Sequence, residues 1–328
     1  MTVLLFVMIS MLMVSLSLSV HAKEKIVFAD AGWGSIRFHN EVARTIIEEG
    51  YDYPTDVISG SLSALFLGLK KGDVDAYMEV WTNDLRDVYY PAIEEGTIIQ
   101  VSVNYDDNAQ GLYVPTYVIE GDSQRNIEPM APELKTVRDL KNYWKVFLDE
   151  EDPSKGRIYG SPPTWTTTDK ILRIKLKSYG LDDYYNYFSP GSDSALRAML
   201  VGAYEKGEPI VAYYWEPTWV MGMLDMTLLE EPPYSDKKWL EDETFDCAFK
   251  QMDIAIAVNH KLPEKAPKVV KFLSQYHTSS KIASQALAYM RENEAETREA
   301  ALWFLRNRED IWTQWIPEDI VAKVKKAI

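Results

Sequence analysis

The chain states one pattern twice, and that repetition limits its fold more than any other feature. The stretch "SGSLSALFLGLKKGDVDAYMEVW", Ser59 to Trp81, parallels "PGSDSALRAMLVGAYEKGEPIVAYYW", Pro190 to Trp215. Each has a Gly-Ser-x-Ser-Ala-Leu start, an apolar helical run, a Lys and Gly stop, and a strand that closes on Trp. A serine hydroxyl can accept from an unpaired amide of a first helical turn, so both starts suit helix N-caps.

The likeness continues upstream. "KIVFADAGWGSIRFHNEVARTIIEEGY" (Lys25 to Tyr51) and "GRIYGSPPTWTTTDKILRIKLKSYGL" (Gly156 to Leu181) each give a short strand, a loop holding a Trp, a helix and a closing Gly. Trp33 precedes Trp81 by nearly the span that separates Trp165 from Trp215. Two β-loop-α-β-α-β units of one design are therefore expected. Strands alternating with helices in this way make mainly parallel sheets with flanking helices, one sheet to each of two lobes. In open α/β sheets ligands sit beyond the carboxyl ends of the strands, so Trp33, Trp81, Trp165 and Trp215 would line one cleft between the lobes. Taken singly, each of these rings has a blander reading as a packing aromatic. Trp144, Trp239, Trp303, Trp312 and Trp315 are assigned to helices or packing, and Trp219 is left open.

The β-rich stretch from Gly96 to Asp122, broken by Gly and Pro, is expected to cross from lobe one to lobe two. The chain would cross back near "FDCAFKQMDIAIAVNH", Phe245 to His260, and end in amphipathic helices that start at Pro263 and Pro267. The division that follows is a leader over 1–22, lobe one over 23–117 and 251–328, and lobe two over 118–250. Two crossovers make a hinge, and closure around a ligand is the expected motion.

Residues 1–22, "MTVLLFVMISMLMVSLSLSVHA", carry no charged side chain and end on a Val-x-Ala site, as a secretory signal peptide does. An uncleaved N-terminal anchor is the alternative, since the leader lacks the usual Lys or Arg. No cysteine follows it, so a mature N-terminal lipid is excluded and a free periplasmic monomer is expected. A net charge of -15 argues against nucleic acid as a partner, because phosphate binding needs a basic face. The sole cysteine, Cys247, allows no internal disulfide.

Catalytic patterns are missing: no G-x-S-x-G, H-E-x-x-H, P-loop or G-x-G-x-x-G occurs, and His39, His260 and His277 share no metal-ligand spacing. No cofactor, metal or enzymatic activity is expected. Aromatic rings at a cleft without a nucleophile suit binding, either of sugars or of quaternary ammonium ions. A trimethylammonium group donates no strong hydrogen bond, so ring faces are the main means of recognising it, at about 2 kcal/mol or more for a desolvated contact. A sugar or amino-acid binder of the same fold, and a hydrolase using a cleft carboxylate such as Glu79 or Glu216, remain as alternatives.

With "GWGSI", the first repeat, "GLYVPTYV", "YYWEPTW" and "REAALWFLRNREDIWTQW", the chain resembles the glycine betaine/proline betaine substrate-binding proteins of ABC importers. The resemblance implies a type II, two-lobed periplasmic-binding-protein-like α/β fold, capture of a quaternary ammonium solute, and delivery to an ABC transporter transmembrane permease. Glycine betaine or proline betaine comes first, with choline, carnitine or a sulfonium analogue behind. It places the aromatic box on Trp81, Trp165 and Trp215, with Trp33 and Trp219 as further ligand-binding candidates. Backbone amides of Gly34, Ser35 and Ile36, beside a helix starting near Arg37, would hold a ligand carboxylate. Thr166 and Thr167 hold the matching place in lobe two. Relatives often supply a histidine for that carboxylate where this chain has Leu85 or Thr218. Glu79 shares a strand face with Tyr77 and Trp81; in the cleft it would favour a cation without a carboxylate, such as choline. Arg37 or Arg86 would be the substitutes able to hold a carboxylate.

Overall fold

The computed structural model describes residues 23–82, 85–163 and 165–328, without the side chains of Arg86, Thr166 and Thr167. The expected leader therefore lies outside the described residues. Strands β1 (Ile26–Asp30), β2 (Thr55–Ser59), β3 (Ala76–Trp81) and β4 (Ile98–Tyr105) are followed by β5 (Gln110–Pro115), β6 (Gly156–Tyr159), β7 (Tyr185–Phe188), β8 (Ala212–Trp215), β9 (Met226–Leu228) and β10 (Ile254–Asn259). They form two five-stranded sheets, in the orders β2-β1-β3-β10-β4 and β7-β6-β8-β5-β9.

In the first sheet β1 pairs in parallel with β2 and β3, while β10 is antiparallel to both β3 and β4. In the second, β6 is parallel to β7 and β8, and β5 is antiparallel to β8 and β9. Each sheet is thus mixed, with one strand running against the rest. That strand is in each case the first one made after the chain has crossed over. The expected parallel pairing is limited to β2-β1-β3 and β7-β6-β8; β4 and β9 pair only with the reversed strand, so half of the strand pairs in each sheet are antiparallel.

The crossing from the first sheet to the second falls at 106–109, ahead of the expected boundary at 117. β5 sets Gln110 opposite Trp215 and Tyr113 opposite Ala212, so it belongs to the second sheet. An apolar run bounded by Gly and Pro marks a strand without naming its partner, because that partner lies a hundred residues away.

The repeat appears in the structure as two equivalent helices. α1 (Gly34–Tyr51) precedes α2 (Leu62–Lys71), α3 (Arg86–Glu94) precedes the second sheet, and α4 (Thr166–Ser178) and α5 (Asp193–Lys206) flank that sheet. Ser61 caps α2 by accepting from the Ala64 amide at 3.4 Å, and Ser192 caps α5 by accepting from Ala195 at 3.1 Å. Gly72 and Gly207 end these helices in the left-handed region, at φ 92° and 73°, where a side chain would be strained. A short helix α6 (Trp219–Met223) follows β8. The C-terminal helices α7 (Pro267–Leu273), α8 (Ser280–Glu292), α9 (Thr297–Asn307) and α10 (Glu318–Ala327) return to the first sheet.

Both faces of the first sheet are covered. Phe28 and Met78 pack with α1 and the C-terminal helices, and Ala29, Tyr77 and Val80 pack with α2 and α3. β10, buried along its whole length, reads accordingly as the continuous apolar run "IAIAV". In the second sheet Ile158, Tyr185 and Val211 face one apolar layer, and Ala212 and Tyr214 face Leu196, Leu200 and Val220 on the other. Trp312 and Trp315 are core residues, and Trp144 and Trp303 pack against the cores, as read from the sequence.

Candidate functional site

Trp81 stands at the exit of β3 with Glu79 two residues behind it. The register with β10 shifts between Val80 and Tyr77, so Tyr77 packs on the same side as Val80 and does not share the Trp81 face that strict alternation predicts. Glu79 is fully buried. Its Oε1 accepts from four donors: the Trp33 indole at 2.9 Å, the Trp81 indole at 3.0 Å, the Ser35 hydroxyl at 3.0 Å and the Tyr105 hydroxyl at 2.9 Å. These donors come from the loop after β1, the end of β3, the first turn of α1 and the end of β4. The second oxygen, Oε2, is buried with no hydrogen-bond partner among the described residues.

Burial pushes the Glu79 carboxyl up to about 7, against the opposing pull of those four donors, because desolvation penalises the charged form. The carboxylate is therefore a buried hub that fixes two tryptophans by their N–H edges, and Glu79 is among the residues that line the cleft wall.

In the second lobe the rings are set by packing. Trp215 ends β8, and its ring lies 5.0 Å from that of Trp165 at 76°, 4.6 Å from Tyr214 and 6.3 Å from Tyr213. Edge-to-face and offset contacts of this kind fix ring orientation. Glu216 accepts from the Tyr113 hydroxyl at 3.0 Å, and burial raises its pKa.

The cleft opens on both sides of Trp81 and Trp215. A cavity of about 410 Å³ is lined by both and by Trp33, Trp219, Glu79 and Arg197. A second, of about 330 Å³, is lined by both and by Trp165, Tyr213, Gln110 and Glu216, against the crossover residues Asn108 and Ala109. The expected box of Trp81, Trp165 and Trp215 thus meets around the second cavity, while Trp33 and Trp219 join Trp81 and Trp215 at the first. Volumes of this order suit a small organic ligand.

Gly34 and Ser35 line the larger cavity. Ile36 is fully buried in the core beside Phe66 and Leu69. α1 begins at Gly34, three residues before the expected start, so the amides of Gly34, Ser35 and Ile36 form its first turn, whose N–H groups have no partner within the helix. The side chains of Thr166 and Thr167, like that of Arg86, lie outside the described residues. Arg37 donates to Asp30 at 3.0 and 3.2 Å, which leaves it already paired. Leu85 is a core residue and Thr218 caps α6 through the Met221 amide, so both positions where the resemblance calls for a histidine serve the fold here.

Sequence reasoning missed Asp193, Arg197 and Leu287 in the cleft wall. Arg197 pairs with Asp193 at 2.6 Å one turn earlier on α5. The repeat held the signal for Asp193, which occupies the place of the cleft residue Leu62. Leu287 comes from α8, distant in sequence, and no local pattern marks it.

A family model described as the substrate-binding domain of ABC-type glycine betaine transport systems matches residues 24–307. The chain is 23% identical over 253 residues to the trimethylamine N-oxide-binding protein of Pelagibacter ubique, covering 76% of this chain and 77% of that one. Among solved structures it is similar to the glycine betaine/L-proline-binding protein ProX of Borrelia burgdorferi, with a TM-score of 0.56 at 18% identity, covering 92% of this chain and 99% of that chain. It is likewise similar to an ABC-transporter choline-binding protein in complex with choline, with a TM-score of 0.55 at 20% identity, covering 92% and 97%. These structural likenesses establish the two-lobed α/β fold. With the family match spanning most of its length, the chain belongs to the substrate-binding domains of ABC-type glycine betaine transport systems, a family of quaternary ammonium binders.

Proposed function

We propose that this chain captures a small methylated-ammonium solute outside the cytoplasm and delivers it to the transmembrane permease of an ABC importer. Trp33 and Trp81 would close on the cation from the lobe of the first sheet, and Trp165, Trp215 and Trp219 from the lobe of the second. Residues 1–22 would serve as a cleaved leader, leaving a periplasmic monomer that binds and performs no chemistry.

The observation that carries the substrate is Glu79. With Oε1 taking four donors, the proton of the neutral acid belongs on Oε2, and a carboxyl near 7 is partly protonated at neutral pH. Donation by a protonated Oε2 to an oxygen bonded directly to the cationic nitrogen, with the methyl groups facing the rings, requires the wall around this buried atom to open to the ligand. That chemistry fits an amine N-oxide, the ligand named for the Pelagibacter relative. A betaine's carboxylate can accept the same proton, so what separates it from the N-oxide here is the absence, among the described residues of the cleft wall, of a histidine to hold its second oxygen. A second reading, glycine betaine, is favoured by Arg197, a cleft-wall guanidinium that pairs with Asp193 through one Nη and keeps its other planar N–H groups for a carboxylate.

Tryptophan fluorescence titrated with trimethylamine N-oxide, choline and glycine betaine tests the assignment. Saturation at submillimolar N-oxide, tighter than betaine, is the expected result. Betaine binding tightest would favour the second reading. A response to sugars or amino acids alone would overturn the class.

A further inference from the structure

The chain crosses between the sheets twice, but the lobes also touch at a place where no chain crosses. Helix α6, just beyond Trp215 in the lobe of the second sheet, lies on α8 of the C-terminal helices. Val220 of α6 belongs to the core of the second sheet, while Ile282 and Ala286 of α8 belong to that of the first. At Gly222 the two backbones meet. A Cβ there would fall 2.1 Å from the Ser284 carbonyl oxygen and 2.9 Å from the Ala288 Cβ, so no side chain fits without moving one helix. The Thr218 amide donates to the Ser284 hydroxyl at 3.1 Å. The Arg291 guanidinium lies 5.4 Å from the Trp219 ring, within cation–π range. Leu287, on the same helix, lines the cleft next to Gly34.

We propose that the α6–α8 contact is a third joint between the lobes, and that Gly222 and Ser284 are positioning residues for ligand capture. The joint sets where Trp215 and Trp219 stand relative to Trp33 and Trp81. A lobe joined only by two flexible crossovers could twist as well as close. A backbone-on-backbone contact beside the ligand rings limits it to rotation about that point, so each closure brings the same rings together. The joint rests on the proposed function, because it matters only if those rings receive the ligand.

The test uses the whole mature chain with the Cys247→Ala replacement and pairs of nitroxide labels read by double electron–electron resonance. One pair, at the exposed positions Met223 and Glu292, spans the joint, and another, at Lys71 and Lys206, spans the far ends of α2 and α5. Saturating trimethylamine N-oxide or choline should shorten the far distance and leave the joint distance unchanged. A joint distance that changes as much as the far one, or a far distance that does not change, would overturn the proposal. Gly222→Ala should weaken binding by about tenfold or more in the folded protein, as a displaced binding group does, and Ser284→Ala by less. Gly222→Ala that folds and binds as wild type would also overturn it. If Gly222→Ala does not fold, the label distances decide. Absence of binding in the wild type would instead count against the proposed function.

Discussion

The two halves of the cleft descend from one sequence pattern yet hold their rings by different physics. On the first sheet, Trp33 and Trp81 point their indole N–H groups at a single buried carboxylate oxygen. On the second, Trp165 and Trp215 lean on one another and on Tyr213 and Tyr214. Ring packing is insensitive to pH, whereas a carboxyl pushed up to about 7 changes charge within the physiological range. One lobe therefore supplies constant ring faces and the other a titratable set. A repeat fixes where aromatic side chains stand, and what orients them is decided separately in each copy.

The largest effect should come from the ring common to both cavities in the lobe of the second sheet. Trp215→Ala removes a cation–π wall together with its ring neighbours, and a contact of about 2 kcal/mol or more corresponds to a loss of at least about thirtyfold in affinity by calorimetry. Trp81→Ala should cost at least about tenfold, with the fold retained. An unfolded Trp81→Ala would mean that the ring serves the core.

Glu79→Ala separates the halves more sharply. It strands four donors on the first sheet, at about 1–3 kcal/mol for a buried unsatisfied group, so the melting temperature and the affinity should both fall. The Trp165–Trp215 pair should be undisturbed in a crystal structure of that variant. Movement of that pair would show that the two halves are one network. The smallest effects should be alike in both copies. Ser61→Ala and Ser192→Ala each remove one equivalent N-cap, worth about 1 kcal/mol, and each should lower the melting temperature by a few degrees without changing affinity.

Much of this was legible because it is local. The repeat gave two sheets, the serine caps and the strand-exit tryptophans, since caps, glycine stops and period-2 alternation all act within a few residues. Trp81, Trp165 and Trp215 line one cavity, while Trp33, which the pattern places with them, lines the other. What stayed hidden is long-range. β5 joins the second sheet through partners a hundred residues on, and α8 brings Leu287 to the cleft from the far end of the chain. Glu79 was visible as a candidate two residues before Trp81, but its role was not, and the register shift that takes Tyr77 off their face was hidden. Convergence of Trp33, Ser35 and Tyr105 on one oxygen depends on three separate elements ending at the same sheet edge. Arg37 looked available for an anion until β1 supplied Asp30 beside it.

The central claim is that the carboxyl of Glu79 sets the polarity of the site, and calorimetric titration between pH 6 and pH 8 tests it most directly. Its pKa is raised in the folded protein, so the proton donor is present below about 7 and lost as pH rises through it. Affinity for trimethylamine N-oxide should fall across this range, approaching about tenfold per pH unit at the alkaline end. Affinity for choline, a permanent cation, should rise instead as the carboxylate ionises. Glu79→Gln, which keeps a donor and an acceptor but cannot ionise, should flatten both profiles. Parallel or flat profiles in the wild type, or slopes that persist in Glu79→Gln, would contradict the account.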